Sequence, residues 1–245
     1  MLSRYDRQRY DRQIMISEIG EGGQAKLKEA VVFIGGAGGL GSPVALYLAA
    51  AGVGTLRIVD DDTVALSNLN RQILHGDDDI GKSKTGSAAD TLQRLNPTVK
   101  LECLPETVSA DGVVDLVRGA DLVVDAMDNL ETRFLLNRAA LDLRIPLFHG
   151  AVNGFEGRAM TVIPGETACL GCLIHGELPQ EKFPVIGVVP AVIGAIQATE
   201  VIKYITGTGR LLAGRLLRYD GLNLEFSEFK IRKNPKCRHC GRSNR

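Results

Sequence analysis

The first apolar run of the chain, residues 31–34, is followed by a turn that is rich in glycine. These glycines are Gly36, Gly38, Gly39 and Gly41. Ser42 and Pro43 then begin a predicted helix, and Asp60 ends the next apolar run, 56–59. Glycines let the backbone approach a phosphate closely, a helix N-terminus attracts it, and an acid about 20 residues on is placed for ribose hydroxyls. The pattern predicts nucleotide binding. The alternative is a glycine-rich structural turn, with Asp60 as a turn or capping residue.

A cluster of polar and charged residues follows Asp60 and bears on which nucleotide binds. Its members are Asp62, Ser67, Asn68, Arg71, Gln72 and Lys84. Guanidinium groups form forked hydrogen bonds with phosphate oxygens, and an ammonium group acts as a point charge. Hydride transfer needs no such cations near the phosphates, so the cluster favours ATP over a nicotinamide dinucleotide. The alternative is that Arg71 and Lys84 are ordinary surface charges, as we expect Lys82 to be.

Asp128 and Asn129 follow a third apolar run, residues 120–127. In an open α/β sheet, ligands bind beyond the carboxyl ends of the strands, so these side chains are candidates for the same site. Both could instead cap the helix predicted over 131–143. The two roles are compatible if Asn129 caps the helix while Asp128 faces the ligand.

Two C-x-x-C pairs offer a different chemistry. They are Cys169 with Cys172 and Cys237 with Cys240. Thiolates at this spacing can clasp one metal ion, and two pairs complete a tetrahedral zinc site that leaves no open position. We therefore predict a structural zinc that ties the C-terminal part to the middle of the chain. The alternatives are a redox pair or independent thiols, with His175 and His239 as other possible ligands. Cys103 is predicted to be a buried core residue.

The elements that must position these residues alternate between strand and helix. Strands are predicted at 31–34, 56–59, 99–104, 120–127, 145–149 and 158–163, with a hairpin at 216–219 and 224–229. Helices are predicted at 44–51, 84–95, 109–119, 131–143 and 192–205, and a turn at 150–157. This order predicts a Rossmann-like α/β fold, a mainly parallel sheet with an antiparallel C-terminal extension. We expect one domain over 1–245, comprising a helical arm (1–30), a nucleotide-binding core (31–165) and a zinc-tethered part (166–245).

The composition narrows the range of partners. The 245 residues include 29 basic and 29 acidic side chains, so a broad surface for nucleic acid or anionic membranes is not expected. No apolar run reaches the ~18 residues of a membrane span, and the N-terminal residues do not look like a secretory signal. A cytoplasmic location is expected.

The combined motifs resemble the ThiF/MoeB/HesA family, the bacterial relatives of ubiquitin-activating enzymes. The matching segments are GAGGLG at 36–41, DDDTVALSNLNRQ at 60–72, GKSK at 81–84, DAMDN at 125–129 and the two C-x-x-C pairs. The resemblance implies an ATP-dependent adenylyltransferase with Mg²⁺ held by Asp128 and a structural Zn²⁺. It also implies a homodimer in which an arginine of the arm reaches the ATP of the partner. Arg12 is favoured over Arg7 by its offset from the glycine loop, and the alternative is that neither binds nucleotide.

The resemblance further implies a substrate, the C-terminal glycine carboxylate of a ubiquitin-like sulfur carrier ending in Gly-Gly, of the molybdopterin or thiamine type. Arg12, Arg71, Lys84 and Asp128 would be catalytic. Several relatives carry an acyl-accepting cysteine in the region corresponding to Gly176–Pro190, and this chain has none there. We therefore expect a reaction that stops at the acyl-adenylate without a thioester. The alternatives are adenylation of a small-molecule carboxylate, a nucleotide-binding dimer that only senses or scaffolds, and a dehydrogenase.

Overall fold

The computed structural model describes residues 1–174 and 183–241. The strands are β1 (Val31–Gly35), β2 (Thr55–Val59), β3 (Lys100–Leu104), β4 (Leu122–Asp125), β5 (Leu147–Asn153), β6 (Glu156–Val162), β7 (Arg215–Asp220) and β8 (Glu225–Lys230). The helices are α1 (Arg4–Arg9), α2 (Asp11–Ile14), α3 (Gly20–Glu29), α4 (Gly41–Ala51), α5 (Lys84–Leu95), α6 (Val113–Val117), α7 (Leu130–Leu143), α8 (Leu170–Leu173) and α9 (Val188–Thr206). His175 and residues 176–182 of the cysteine-free segment lie outside the described residues.

The eight strands form one sheet in the order β3-β2-β1-β4-β5-β6-β7-β8. The first five in this order run parallel, and β6, β7 and β8 are antiparallel. The predicted Rossmann-like α/β fold with an antiparallel extension is confirmed. The chain leaves β1 towards β2 on one side and β4 lies on the other, so a crevice opens at the carboxyl ends of β1 and β4.

Side-chain alternation along the strands fills a core on each face of the sheet. Val32 and Ile34 point to the face covered by α4, α5 and α9, where Leu48 and Leu92 pack. Phe33 points to the opposite face, which α6 and α7 cover. Because β1 is buried on both faces, its sequence is a continuous apolar run rather than an alternating one.

The predicted turn over 150–157 is wrong in extent. β5 continues to Asn153 and β6 begins at Glu156, so the turn is confined to the residues between them. Gly150 and Gly157 are strand residues, and a Cβ at either would collide with α9, at Gln197 and Ile193 respectively. These two glycines serve the close approach of a helix to the sheet and not a reversal of the chain.

Helix α9 is long and apolar enough to cross a membrane by length and composition alone. In this fold it packs on the sheet, against β5 and β6. Gln197 donates to the carbonyls of Asp125 and Phe148 at 2.8 and 2.9 Å, and Thr161 of β6 donates to Glu200 at 2.8 Å. These buried polar contacts hold the helix to strands β4, β5 and β6.

Candidate active site

The glycine turn and the segment after β4 meet at the crevice. Ala126 donates its backbone N–H to the carbonyl of Gly35 at 3.0 Å. Gly36 has φ +99°, and a Cβ there would lie 2.8 Å from the carbonyl oxygen of Ala126. A side chain at Gly41 would strike the backbone of Gly36, because the turn closes tightly onto the first turn of α4. The glycines therefore allow β1, α4 and the β4 loop to converge at one point.

The peptide groups on either side of Ala37 are fixed by side chains. Asp60, which follows β2, accepts the Ala37 N–H at 2.8 Å. His75 Nε2 lies 3.1 Å from the Ala37 carbonyl oxygen, and its Nδ1 lies 2.8 Å from Ser87 Oγ. Since a carbonyl only accepts, Nε2 carries a proton and donates to it. The turn is thus held in shape from both sides by residues distant in sequence.

His75 was not assigned a role from the sequence, where it lies in a loop without any motif. Burial lowers its pKa, and the nearby Lys84 acts in the same direction, whereas its contact with Ala37 opposes the shift. The imidazole is therefore neutral near pH 7, so the unprotonated Nδ1 accepts from Ser87 Oγ.

Lys84 is buried beside the glycine turn, at the first position of α5. Its Nζ lies 2.7 Å from Asp62 Oδ2 and 3.8 Å from Asp60 Oδ1. Asp60 is buried as a side chain, whereas the Asp62 side chain is 69% exposed. The structure thus brings three of the predicted site residues together. A phosphate entering the crevice would meet an ammonium group that is already positioned.

Arg71 and Gln72 lie against the outer side of the glycine turn. A Cβ at Gly39 would lie 3.5 Å from Arg71 Cγ, and one at Gly38 would lie 3.5 Å from Gln72 Nε2. Arg71 Nη1 donates to the carbonyl of Ser67 at 2.8 Å, so the 3-10 turn Leu66–Asn68 orients the guanidinium. Within that turn, Asn68 Oδ1 accepts the Ala65 N–H at 3.0 Å while Ser67 is exposed.

Two buried polar atoms beside the turn have no partner among the described residues. They are Ser42 Oγ, in the first turn of α4, and Gln72 Oε1. Buried polar groups are normally hydrogen-bonded, so unpartnered atoms at this place fit a polar ligand or ordered water. Together with the cations, they make the crevice chemically suitable for a nucleotide.

Asp128 and Asn129 take different roles after β4. Asn129 is the N-cap of α7, with Oδ1 accepting the Thr132 N–H at 2.9 Å. Asp128 is exposed and makes no hydrogen bond or ion pair with any residue that the structure describes. The carboxylate stands at the mouth of the crevice and is available to an external cation.

The loop that carries Asp128 is fixed from behind by buried polar side chains. Arg133 donates to the Met127 carbonyl through Nε at 3.0 Å and Nη2 at 2.6 Å. Asp125 Oδ1 accepts the Met127 N–H at 3.2 Å, and its Oδ2 lies 2.6 Å from His149 Nδ1. The sequence indicated none of these contacts. An apolar strand ending in an acid was the only available signal, and it pointed to Asp128.

His149 is fully buried, and burial lowers its pKa, although its contact with Asp125 opposes the shift. Burial is the largest cause, so we take the imidazole as neutral, donating Nδ1–H to the buried carboxylate. The carboxylate is thereby hydrogen-bonded without a formal ion pair. This pair supports the loop from beneath and does not face the crevice mouth.

The structure does not bring Arg12 to the crevice of its own chain. Arg12 is exposed on α2, and the next residue, Gln13, donates to the carbonyl of Ala51 at the far end of α4 from the glycine turn. The Arg7 guanidinium donates to both carboxylate oxygens of Glu21, from Nε at 2.9 Å and from Nη2 at 3.1 Å, and to the Leu2 carbonyl from Nη1. Of the two arginines, only Arg12 lacks an intramolecular partner among the described residues.

The four cysteines of the two C-x-x-C pairs form one cluster whose sulfur atoms all lie within 4.8 Å of one another. Cys169 Sγ lies 3.8 Å from Cys237 Sγ, and Cys172 Sγ lies 3.4 Å from Cys240 Sγ. Tetrahedral zinc with Zn–S bonds of about 2.3 Å places its sulfurs about 3.8 Å apart. The arrangement therefore fits a metal ion with four thiolate ligands.

Neighbouring residues support this cluster. Asn137 of α7 accepts the Leu170 N–H at 3.1 Å, next to Cys169. The His239 ring stacks on Phe134 with centroids 5.0 Å apart, so it packs against α7 as a bystander to the cluster. The cluster thus fastens the C-terminal segment to α7 and α8.

Cys103 lies apart from the cluster on β3, which is an edge strand of the sheet and not a central one. It is half-buried, and burial raises its pKa to about 11. At neutral pH it is a protonated thiol and a poor nucleophile.

The sheet order and the glycine turn define a Rossmann-like α/β protein with a four-cysteine cluster. A family model described as "ThiF family" matches residues 10–239. The chain belongs to this family, and the resemblance inferred from its motifs is confirmed.

Curated relatives cover nearly the whole chain. It is 45% identical over 239 residues to the "SAMP-activating enzyme E1" of Haloferax volcanii, covering 95% of this chain and 88% of that protein. It is 42% identical over 244 residues to the "Sulfur carrier protein adenylyltransferase" of Thermus thermophilus, covering 95% and 90%. A solved structure, E. coli MccB with MccA-N7isoASN, superposes with a TM-score of 0.86 at 25% identity over 95% of this chain and 75% of that one. The predicted enzyme class, adenylyltransferase, is confirmed.

Proposed function

We propose that this protein adenylates the C-terminal glycine carboxylate of a ubiquitin-like sulfur carrier that ends in Gly-Gly. One carboxylate oxygen attacks the α-phosphorus of ATP, and the bond from that phosphorus to the bridging oxygen of the leaving group breaks. The electron pair leaves with pyrophosphate, and the product is an acyl-adenylate. No proton is transferred, so the protein positions the reactants and stabilises charge.

One observation carries this proposal: the buried Lys84 beside a glycine turn whose Ala37 peptide groups are already fixed. A preorganised cation in a sheltered crevice stabilises charge that develops on phosphate oxygens. Arg71, against the same turn, provides a guanidinium for the triphosphate. Asp60 accepts one backbone N–H on each oxygen, from Ala37 and from Asp62, and its remaining lone pairs suit the ribose hydroxyls. The assigned nucleotide-binding residues are the four glycines of the turn, Asp60, Asp62, Ser67, Asn68, Arg71, Gln72, Lys84, Asp128 and Asn129.

The relatives favour a carrier protein over a small molecule as the substrate. Among the named relatives are an enzyme that activates SAMP and a sulfur carrier protein adenylyltransferase. Both share more than 40% of their aligned residues with this chain. The small-molecule alternative has no comparable support.

The chain has no cysteine suited to receive the acyl group. Four of the five cysteines form the metal-type cluster, and Cys103 has its pKa raised to about 11. We therefore infer that the reaction ends at the acyl-adenylate and that another thiol or sulfur donor acts on it.

The metal assignments follow from the donor sets. Asp128 is an exposed carboxylate at the crevice mouth, and Mg²⁺ is usually held by one or two carboxylates together with substrate phosphates. Four thiolates in a tetrahedral arrangement suit zinc, which we infer for the cysteine cluster. Zinc bound there would be structural, since four thiolates leave no open position. We also infer a cytoplasmic homodimer in which Arg12 serves the partner's ATP.

The test is exchange of radiolabelled pyrophosphate into ATP, with the purified protein and candidate carriers. We expect exchange that requires an intact carrier and that disappears when its final glycine is removed. Exchange with small carboxylic acids and not with any carrier would overturn the carrier substrate while retaining the chemistry.

Two other classes of function give different results in binding assays. A nucleotide-binding scaffold would bind ATP without exchange in the presence of any co-substrate. A dehydrogenase would bind NAD, whereas the cations beside the glycine turn predict preference for ATP.

A further inference from the structure

The arm contains the sequence YDRQ twice, at 5–8 and 10–13. The two copies differ in the burial of their tyrosine and in the contacts of their arginine. The Tyr10 side chain is buried, with 3% of the residue exposed, whereas Tyr5 is 49% exposed. Arg7 of the first copy is bound to Glu21, whereas Arg12 of the second is exposed without a partner among the described residues. The second copy is therefore anchored by its tyrosine and leaves its arginine available.

Tyr10 is anchored at the C-terminal end of α4. Its hydroxyl accepts from Asn96 Nδ2 at 2.8 Å, and the same amide donates to the Ala49 carbonyl at 2.7 Å. Its ring lies over Gly52, the left-handed C-cap of α4, where any Cβ would collide with it. Gly52 thus ends α4 and leaves the space in which the Tyr10 ring packs.

Gln13 makes a second attachment one residue beyond Arg12. Its Nε2 donates to the Ala51 carbonyl at 3.0 Å and to Gln24 Oε1 at 2.7 Å. Gln24 in turn donates to the same carbonyl at 2.9 Å. The backbone on both sides of Arg12 is therefore tied to the last turn of α4.

This attachment places Arg12 at the wrong end of α4 for its own crevice. The glycine turn precedes Gly41, and α4 has 11 residues, a length of about 16 Å that an arginine side chain cannot span. Met15 and Ile16, just beyond, are exposed apolar residues at 67% and 47%, a composition that suits a protein contact.

We propose that Tyr10 and Gln13 are positioning residues that present Arg12 to the nucleotide site of a second copy of this chain. Both lie at the end of α4 that is remote from the glycine turn of their own subunit. The proposal rests on the proposed function, because it assigns Arg12 to that reaction. It differs from a general stabilising role in one respect: the effect of changing Tyr10 depends on which subunit carries the change.

The experiment uses mixed dimers assembled by co-expression with two affinity tags. The acceptor subunit carries Arg12→Ala and retains Lys84. The donor subunit carries Lys84→Ala and retains Arg12. Each homodimer should be inactive in carrier-dependent pyrophosphate exchange, and the mixed dimer should recover one working site. Tyr10→Leu is then introduced into the donor or into the acceptor, with Tyr5→Leu as the matched control.

We expect Tyr10→Leu in the donor to lower the recovered exchange by about tenfold or more, because small displacements of a catalytic group are costly. The same change in the acceptor, and Tyr5→Leu in either subunit, should leave it nearly unchanged. Gln13→Leu should repeat the asymmetry, and it replaces Tyr10→Leu if that variant does not fold. Thermal unfolding of each dimer reports on folding separately.

Equal losses from Tyr10→Leu in both subunits would overturn the inference, since a structural role has no such asymmetry. An unchanged rate in the donor would also overturn it. If wild type exchanges but the mixed dimer recovers nothing, Arg12 does not act across subunits and this inference fails alone. Absence of exchange in the wild type with every carrier would instead remove the proposed function.

Discussion

The ammonium group of Lys84 lies 2.7 Å from Asp62 Oδ2, inside a crevice where the lysine is buried and the aspartate is mostly exposed. The Asp62 carboxylate, which is open to solvent, orients the ammonium group of Lys84. An incoming phosphate can displace this carboxylate or bind the ammonium group beside it. Because the Asp62 carboxylate is largely solvated, its attraction to the ammonium group adds little to stability, so this pair is better suited to ligand exchange than to holding the fold together.

Lys84→Ala should lower carrier-dependent pyrophosphate exchange by about 10²–10³-fold, the usual loss for one preorganised charge-stabilising group. The matched control is Lys82→Ala, two residues away, where an exposed lysine pairs with Asp79 at 3.0 Å. That variant should exchange at nearly the wild-type rate. Similar rates for the two variants would contradict the assignment of Lys84.

Asp128→Asn should raise the Mg²⁺ concentration needed for half-maximal exchange and lower the maximal rate, since an amide is a weaker ligand for Mg²⁺ than a carboxylate. Asp142→Asn is the control, because Asp142 is an exposed acid paired with Arg138 on the same helix. The measurement is the exchange rate against Mg²⁺ concentration at saturating ATP. An unaltered Mg²⁺ dependence in Asp128→Asn would exclude this residue as the metal ligand.

Protein purified without chelator should contain about one zinc per chain, and chelation should lower the melting temperature before it abolishes ATP binding. Loss of only 2 kcal/mol would shift the melting temperature by about 4–8 °C in a domain of this size. Cys172→Ser should release zinc, and Cys103→Ser should retain it. Metal analysis by atomic emission decides the matter, and wild-type protein without zinc would refute the site.

The stability of the fold should decrease as the pH falls below about 6.5, the ordinary pKa of histidine. His75 and His149 have folded-state pKa values lowered by burial, so the unfolded chain binds protons more readily than the native one in this range. Stability from these groups is complete above the unfolded pKa and is lost as the pH falls through the folded values.

Urea unfolding between pH 5 and 8 measures this effect. His75→Gln and His149→Gln should each flatten the pH dependence, even though each lowers stability at pH 8 by removing buried hydrogen bonds. A pH profile as steep in both buried-site variants as in wild type would contradict the burial argument.

The positions of most strands and helices were predictable because their signals are local. The apolar runs of β1, β2 and β4 and the helical periodicity over 84–95 all depend on neighbours within a few residues. The turn over 150–157 failed for the same reason. Glycines that admit a helix side chain look identical, in sequence, to glycines that reverse the chain.

The sequence by itself determined the types of chemistry present: a glycine turn with cations for phosphate, an acid after β4 and two cysteine pairs that come together 68 residues apart. Tertiary structure alone decided how they are supported. His75 reaches Ala37, Asp125 meets His149, and Tyr10 rather than Tyr5 is buried. These contacts join residues distant along the chain, and short motifs specify which groups can react but not which remote side chains the sheet order brings against them.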